Sequence, residues 1–243
     1  MKIGIAGYGF VGMAHKRIFK EHEIIVSDPD KQQYGNLKHA DCIIICVSTP
    51  GDIFGKCDVS NVCDVLDESP DIPILIKSTI SPEGWRVIIE QFPNKDITFS
   101  PEFLRAAHWR QDALNKKDFY FGGKGCHFWS ALFVSALGKI NIDIAKPEEL
   151  ILMKQLRNSY LATKVTFFNQ VYDYCQSENI DFETVRSLIT ADDRIGDSHS
   201  YVTEERGFGG HCLPKDTLAT VRSSKAELSL LEASLKYNNI IRK

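Results

Sequence analysis

The chain has 243 residues, enough to bury a full hydrophobic core in one or two domains. With 43% hydrophobic and 25% charged residues and a net charge of −3, its composition is that of an ordinary globular protein, and no basic run marks a nucleic-acid or anionic membrane partner. The longest purely apolar stretch, Cys42 to Val47, is far too short to span a bilayer, and the first residues form a strand pattern rather than a cleavable signal, so a cytoplasmic location is expected.

Short apolar runs alternate with helical patterns through the first half: residues 3–7, 23–28, 42–47, 74–78, 97–100 and 119–123. Such alternation predicts βαβ units and a parallel sheet. Only about a dozen residues separate Asp28 from the third run, close to the minimum for a crossover, so an irregular connection is expected there. Pro82 occupies a first helical position, followed by Trp85, Ile88, Ile89 and Phe92 at helical spacing. After Pro147 one long helix is predicted over roughly residues 148–178, with Leu152, Leu156, Tyr160, Leu161, Val165, Phe168 and Tyr172 on one side. At 1.5 Å per residue it would be about 45 Å long, a length suited to linking domains or supporting a dimer interface. Asp181 reads as the N-cap of a helix over Phe182 to Ile189, residues 191–213 as a polar glycine-bearing loop, and Pro214 as the restart of helix. A last helical pattern contains Leu228, Leu231, Leu235 and Ile240. The expected fold is therefore α/β, a Rossmann-type doubly wound parallel sheet over residues 1–146, followed by an all-α central domain over residues 147–243 built on the long helix.

Seven scattered cysteines without a CxxC pair argue against a disulfide framework. Cys42 and Cys46 lie in an apolar strand pattern and read as small hydrophobes. His211 beside Cys212 and Cys126 beside His127 lack the spaced partner pairs of a zinc site, so no metal is expected.

Gly7-Tyr8-Gly9-Phe10-Val11-Gly12 is a G-x-G-x-x-G that follows a strand and opens a helix. Backbone N–H groups of Gly7, Gly9, Phe10, Val11 and Gly12 can then approach a pyrophosphate at the positive helix end. Asp28, about twenty residues on at the end of the second strand, suits a ribose diol and repels a 2′-phosphate, which favours NAD over NADP. The alternative is a plain strand-to-helix turn with Asp28 as a turn residue before Pro29. Lys31 either touches the ribose or is solvated.

The stretch from Gly207 to Asp216, GFGGHCLPKD, is the most informative in the chain. Its glycines permit close backbone approach to a ligand, and Pro214 puts Cys212 just outside a helix N-terminus, where the helix end and Lys215 favour thiolate. A reactive Cys212 is expected, against the alternative of an inert cysteine in a tight turn.

Together with GYGFVG, this block resembles the UDP-glucose/GDP-mannose dehydrogenase family. CVSTP at 46–50, IKSTISPEG at 76–84, SPEFLR at 100–105, LMKQLRNSYLATKVTFFNQ at 152–170 and DDRIG at 192–196 follow in the family's order, so the likeness extends over nearly the whole chain. It implies two successive NAD-dependent oxidations of a sugar-nucleotide primary alcohol to the acid, through a thiohemiacetal and thioester on Cys212, as in polysaccharide biosynthesis. Lys154 and Asn158, four apart on one helix face, would stabilise the alkoxide; Asp216 would take the proton, and Glu102 with Thr79 would serve the hydrolytic water. By the same resemblance Thr49, Thr79 and Lys215 belong to the cofactor site, beside Lys31 if it touches the ribose. Glu102, Phe103, Leu104, Lys154, Asn158, Arg194 and Gly209 belong to the substrate site, with Arg194 reaching the sugar across a homodimer interface. Bland readings stand beside these: a solvated Lys154, a polar helix position for Asn158, a helix-start acid for Glu102 and a surface arginine for Arg194.

Two departures from the family pattern stand out. Ala106 replaces a second glutamate after SPEFLR, and the segment from Arg194 to Gly207 is longer and carries Ser198-His199-Ser200. The family's third, nucleotide-binding domain is expected to be absent because the sequence stops at Lys243. Two other functions remain open: a two-domain 3-hydroxyacid dehydrogenase, which needs no cysteine, and a catalytically silent NAD-binding subunit.

Overall fold

The computed structural model describes residues 1–50, 57–105, 108–210 and 212–242. Ala106 and His211, both singled out in the sequence, lie outside the described residues. Contacts divide the chain into two units, one formed by Met1–Asp52 with Cys57–Leu152 and one containing Met153–Lys243.

In the first unit the apolar runs become β1 (Lys2–Ala6), β2 (Glu23–Asp28), β4 (Cys42–Ile45), β5 (Ile74–Ile76) and β6 (Ile97–Phe99). Two further strands, β3 (Gln33–Tyr34) and β8 (Asn141–Ile144), join them with β7 (Asp118–Gly123) in an eight-stranded sheet of order β3-β2-β1-β4-β5-β6-β7-β8. The strands β2, β1, β4, β5 and β6 are mutually parallel. The order reverses at β1, and in open α/β sheets ligands bind outside the carboxyl ends of the strands at such a point. Every residue of β4 and β5 is buried, which explains why these strands read as unbroken isoleucine-rich runs.

The helices of this unit are α1 (Phe10–Ile18), α2 (Ser60–Glu68), α3 (Pro82–Gln91), α4 (Trp109–Asn115) and α5 (Cys126–Leu137). Ser81 caps α3 by accepting from the Gly84 N–H at 3.0 Å, with Pro82 at its first position as predicted. The connection from β2 to β4 is irregular, two single 3-10 turns flanking the edge strand β3. One side of the sheet is filled by Phe19, Phe119, Phe121 and Trp129 around Phe133, whose ring lies 5.0 Å from those of Phe19 and Phe119.

The fully parallel expectation needs correction at the edge strand β3, antiparallel to β2, and at β7, which runs antiparallel to β6. Between β6 and β7, α4 packs against α1, and the antiparallel pairing means that the chain re-enters from the end at which it left. The segment SPEFLR is thereby kept at the carboxyl end of β6.

The long helix, α6 (Pro147–Ser177), has 31 residues, and the unit boundary falls inside it after Leu152. The second unit continues with α7 (Phe182–Thr190), α8 (Cys212–Ser223) and α9 (Ser229–Ile241). Asp181 caps α7 by accepting from the Thr184 N–H at 2.7 Å, as its position predicts. The predicted apolar side of α6 splits in two. Val165 and Phe168 are buried, but Leu152, Leu156 and Tyr160 are 46%, 42% and 62% exposed. The buried residues of this stretch are instead Lys154, Gln155, Ser159, Ala162, Thr166 and Asn169. This stripe meets polar groups of α8: the Ser159 and Thr220 hydroxyls lie 3.2 Å apart, and Thr220 donates to the Asp216 carbonyl at 2.7 Å. Apolarity alone does not reveal which face turns inward when the inward face is polar and mutually hydrogen-bonded.

Candidate functional site

The three glycines of the first turn differ in what they face. Gly7 has φ +88°, and a Cβ there would lie 2.7 Å from the Cys46 carbonyl, so the turn lies against the end of β4. A Cβ on Gly12 would meet the Gly7 carbonyl oxygen at 2.1 Å, which makes Gly12 the contact that lets α1 start directly over the strand end. A Cβ on Gly9 would meet nothing within 4 Å, so its face is open. The Asp28 carboxylate lies at the same turn, accepting from the Tyr8 N–H at 2.5 Å and from the Lys31 N–H at 3.2 Å. The turn-residue reading of Asp28 is therefore correct as far as it goes, since Asp28 also caps the short turn Pro29–Lys31. Lys31 is exposed. An anion cradle open at Gly9, with a carboxylate beside it, fits the pyrophosphate and ribose of a dinucleotide.

The segments after β4, β5 and β6 are tied to one another. The Thr49 hydroxyl donates to the Thr79 carbonyl at 2.6 Å, and Ser78 donates to the Val47 carbonyl at 2.7 Å. Glu102 is nearly sealed, with a side chain 8% exposed, and takes cations from two directions: Lys77 Nζ at 3.2 Å and Lys116 Nζ at 3.0 Å. Its own chain adds the Phe103 N–H at 2.8 Å. Lys77 also donates to Ser100 Oγ at 3.0 Å and the Pro101 carbonyl at 3.2 Å. Burial alone pushes the Glu102 carboxyl up, but Lys116, then Lys77 and His15, together hold it well below the usual carboxylate range. Burial lowers Lys77 to about 8, with Glu102 opposing the shift, and burial together with Lys77 lowers His15 to about 4. Burial raises the thiols of Cys42 and Cys46, consistent with their reading as hydrophobes.

Glu102 lies in an irregular segment after β6, outside any helix, so it is not a helix-start acid. Leu104 packs against the core of its unit, and the Phe103 ring meets Tyr120 at 6.1 Å and the Lys116 ammonium at 5.6 Å. Lys77 and Lys116 carry no role in the sequence reading. A lysine inside the run ILIKS was the available signal for Lys77; Lys116, in an Asn-Lys-Lys-Asp stretch, looks like any solvated residue.

In the second unit the structure brings together several of the predicted residues. Asn158 on α6 donates to Asp216 Oδ2 on α8 at 2.6 Å, and Lys154, one turn earlier, is 7% exposed. Neither is the solvated helix position of the bland reading. Lys215 lies 3.8 Å from the other Asp216 oxygen, and Asp216 itself is buried. Cys212 is exposed, while the other six cysteines are buried or half-buried. It is the first residue of α8 rather than a residue outside it, and Pro214 stands third in the helix, where the first turn needs no N–H from it. Arg194 is a surface residue of this chain, its side chain 89% exposed and held bidentately by Asp192, with Nε and Nη2 at 2.9 and 2.5 Å from the two carboxylate oxygens. The longer segment after it is organised by Asp197, which pairs with Arg186 and accepts from Tyr201 at 2.5 Å.

The glycines before Cys212 were read as room for a ligand. For two of them the structure shows different neighbours: a Cβ on Gly207 would meet Asn238 Oδ1 at 2.2 Å, and one on Gly209 would meet the Arg242 guanidinium at 2.2 Å. Both neighbours belong to α9 or the residue that ends it, so side chains of that helix end lie against these two glycines.

Among the described residues no helix is long and apolar enough to cross a membrane, and no cluster of three or more His, Cys, Asp or Glu suits a metal ion. Residues 149–240 match the model of the UDP-glucose/GDP-mannose dehydrogenase family, central domain. A UDP-glucose 6-dehydrogenase from Campylobacter jejuni is 30% identical over 289 aligned positions, which cover the whole of this chain and 73% of that protein. Among solved structures, a UDP-glucose dehydrogenase from Pyrobaculum islandicum superposes with a TM-score of 0.84 at 23% identity, over 98% of this chain and 68% of that one. A 3-hydroxyisobutyrate dehydrogenase from Mycobacterium tuberculosis shares the fold with a TM-score of 0.73 at 16% identity, over 98% of this chain and 93% of its own. With a relative 30% identical along its whole length and the family's central-domain model matched over residues 149–240, the chain belongs to the UDP-glucose/GDP-mannose dehydrogenase family.

Proposed function

We propose that the protein oxidises the primary alcohol of a sugar nucleotide to the carboxylic acid in two NAD-dependent stages, with Cys212 holding the intermediate. The observation that carries this reading is the Asn158–Asp216 hydrogen bond, which joins the α6 face one turn from buried Lys154 to the helix α8 that begins at the exposed thiol. The glycine turn and Asp28 would hold the dinucleotide, with Thr49, Thr79 and Lys215 as further contacts. NAD, when bound there, would supply the oxidising chemistry as the hydride acceptor of each stage.

Asp216 takes the hydroxyl proton as the alcohol becomes an aldehyde, and Lys154 with Asn158 stabilises the oxyanion. The Cys212 thiolate then adds to the aldehyde carbon: a C–S bond forms, and the former carbonyl oxygen gains a proton. The second oxidation removes hydride from that carbon and the proton from its hydroxyl, leaving a thioester. Water adds to the thioester, the C–S bond breaks, and carboxylic acid and thiol are released. Glu102, ionised between two lysines, suits orienting that water with Thr79 more than removing its proton. Phe103, Leu104, Gly209 and a partner subunit's copy of Arg194 would complete the sugar site. The homodimer belongs to the same reading, supported by the exposed apolar residues along α6.

A second reading, a two-domain hydroxyacid dehydrogenase, is favoured only by the breadth of the match to the Mycobacterium enzyme. The deciding experiment offers UDP-glucose, UDP-N-acetylhexosamines and GDP-mannose with NAD and counts NADH per product. Two NADH per acid are expected, and Cys212→Ser should abolish acid formation. Unchanged turnover in that variant would favour the hydroxyacid reading, and NAD binding without reduction of any cofactor would favour a silent subunit.

A further inference from the structure

The cysteine loop is fastened at its first foot by two buried asparagines that the reaction scheme does not use. Asn169 on α6 is 1% exposed and Asn238 on α9 is 6% exposed. Asn238 grips the backbone of one residue on both sides, accepting from the Phe208 N–H at 2.6 Å and donating to the Phe208 carbonyl at 3.1 Å. Asn169 Oδ1 accepts from the Gly207 N–H at 3.0 Å and from Arg206 Nε at 2.9 Å. Asp173, one turn along α6, accepts from Arg206 Nη2 at 2.6 Å and from the Tyr237 hydroxyl.

These contacts act on a backbone that would not keep its form alone. Arg206 and Gly207 both have φ +57°, and a left-handed conformation at a residue with a Cβ persists where its surroundings over-determine it. A Cβ on Gly207, already at φ +57°, would run into Asn238 Oδ1, and Arg242, beside Gly209, donates to the Arg206 carbonyl at 3.0 Å. The Phe208 side chain is 2% exposed and shares a core with Ala162, Val165, Leu213 and Leu235. Leu213 directly follows Cys212, so the two apolar residues that bracket the thiol stretch meet in one cluster.

We propose that Asn169 and Asn238 are positioning residues for Cys212: they fix the Arg206–Phe208 foot of the loop so that the sulfur keeps its place when an aldehyde must be captured. The proposal rests on the thiol reading of Cys212. It concerns the capture step, because the glycine turn and Asp28 proposed to hold NAD belong to the other unit and neither asparagine touches Lys215.

The test compares the wild-type chain with Asn238→Ala and Asn238→Asp, the latter keeping an acceptor for the Phe208 N–H but losing the donor to its carbonyl. Amide hydrogen exchange at Phe208 should speed up at least about tenfold in Asn238→Ala, as expected for loss of a buried hydrogen bond, and less in Asn238→Asp. Exchange within α8 at Thr217 to Val221 should stay as in the wild type. With substrate and a carbonyl trap, NADH per sugar should fall from two toward one as aldehyde escapes, while the KM for NAD holds. Phe208 exchange within twofold of wild type, or equal slowing of both oxidations, overturns the proposal. Should Asn238→Ala fail to fold, Asn238→Asp carries the same comparison. If the wild-type protein reduces no NAD with any sugar nucleotide, the thiol reading fails, and the exchange data alone decide whether the clamp holds the loop.

Discussion

His15 shows what a single side chain contributes when buried beside charge. It is 1% exposed, its Nδ1 meets the Val11 carbonyl at 2.9 Å, and burial together with Lys77 holds its pKa at about 4 rather than 6.5. Between those values the unfolded chain binds a proton that the folded chain refuses, so stability rises with pH through this window and falls as pH drops through it. The full difference amounts to about 3 kcal/mol below pH 4. Thermal unfolding of His15→Leu between pH 4 and 7 should lack this increment, and a slope equal to that of the wild type would contradict it. Residues of this kind are poorly legible in sequence. Asp28 and Gly7 were readable because their partners are neighbours along one βαβ unit. Lys77, Glu102 and Lys116 meet only because the chain returns antiparallel after α4, which no local pattern announces.

Elements show the same division between what neighbours in the chain decide and what distant ones do. The Asp181 cap, Pro82 and the length of α6 follow from residues within one or two turns, and all were legible. The strands β3 and β8 were not: one has two residues, and the other, Asn-Ile-Asp-Ile, is too short and polar to stand out. The start of α1 offers a sharp contrast between two glycines. Gly12→Ala sets a methyl 2.1 Å from the Gly7 carbonyl oxygen and should cost about 1–3 kcal/mol in urea denaturation as the helix shifts off its strand. Gly9→Ala meets open space and should leave stability within about 1 kcal/mol while weakening NAD binding, measured by titration calorimetry. Equal effects of the two variants on stability would contradict this assignment.

At the scale of the whole molecule, the most conspicuous surface feature is the outer side of α6. Leu152, Leu156, Tyr160, Phe167 and Tyr174 are 42–68% exposed and fall within a sector of about 80° around the helix. The proposed homodimer covers this stripe. Sedimentation velocity should show a dimer for the wild-type chain and a monomer for Leu156→Glu with Tyr160→Glu, and an unchanged sedimentation coefficient would remove α6 from the interface.

The ends of the sheet complete that picture. On one flank a two-residue strand closes the ladder, and on the other a four-residue strand interleaves Asn141 and Asp143 with its isoleucines. An incoming extended peptide would find too few main-chain donors and acceptors at either flank, and would strand a carboxylate beside its own backbone at the second. The sheet is thus blunt at both ends, a built-in defence against fibrillar stacking even when the protein is crowded.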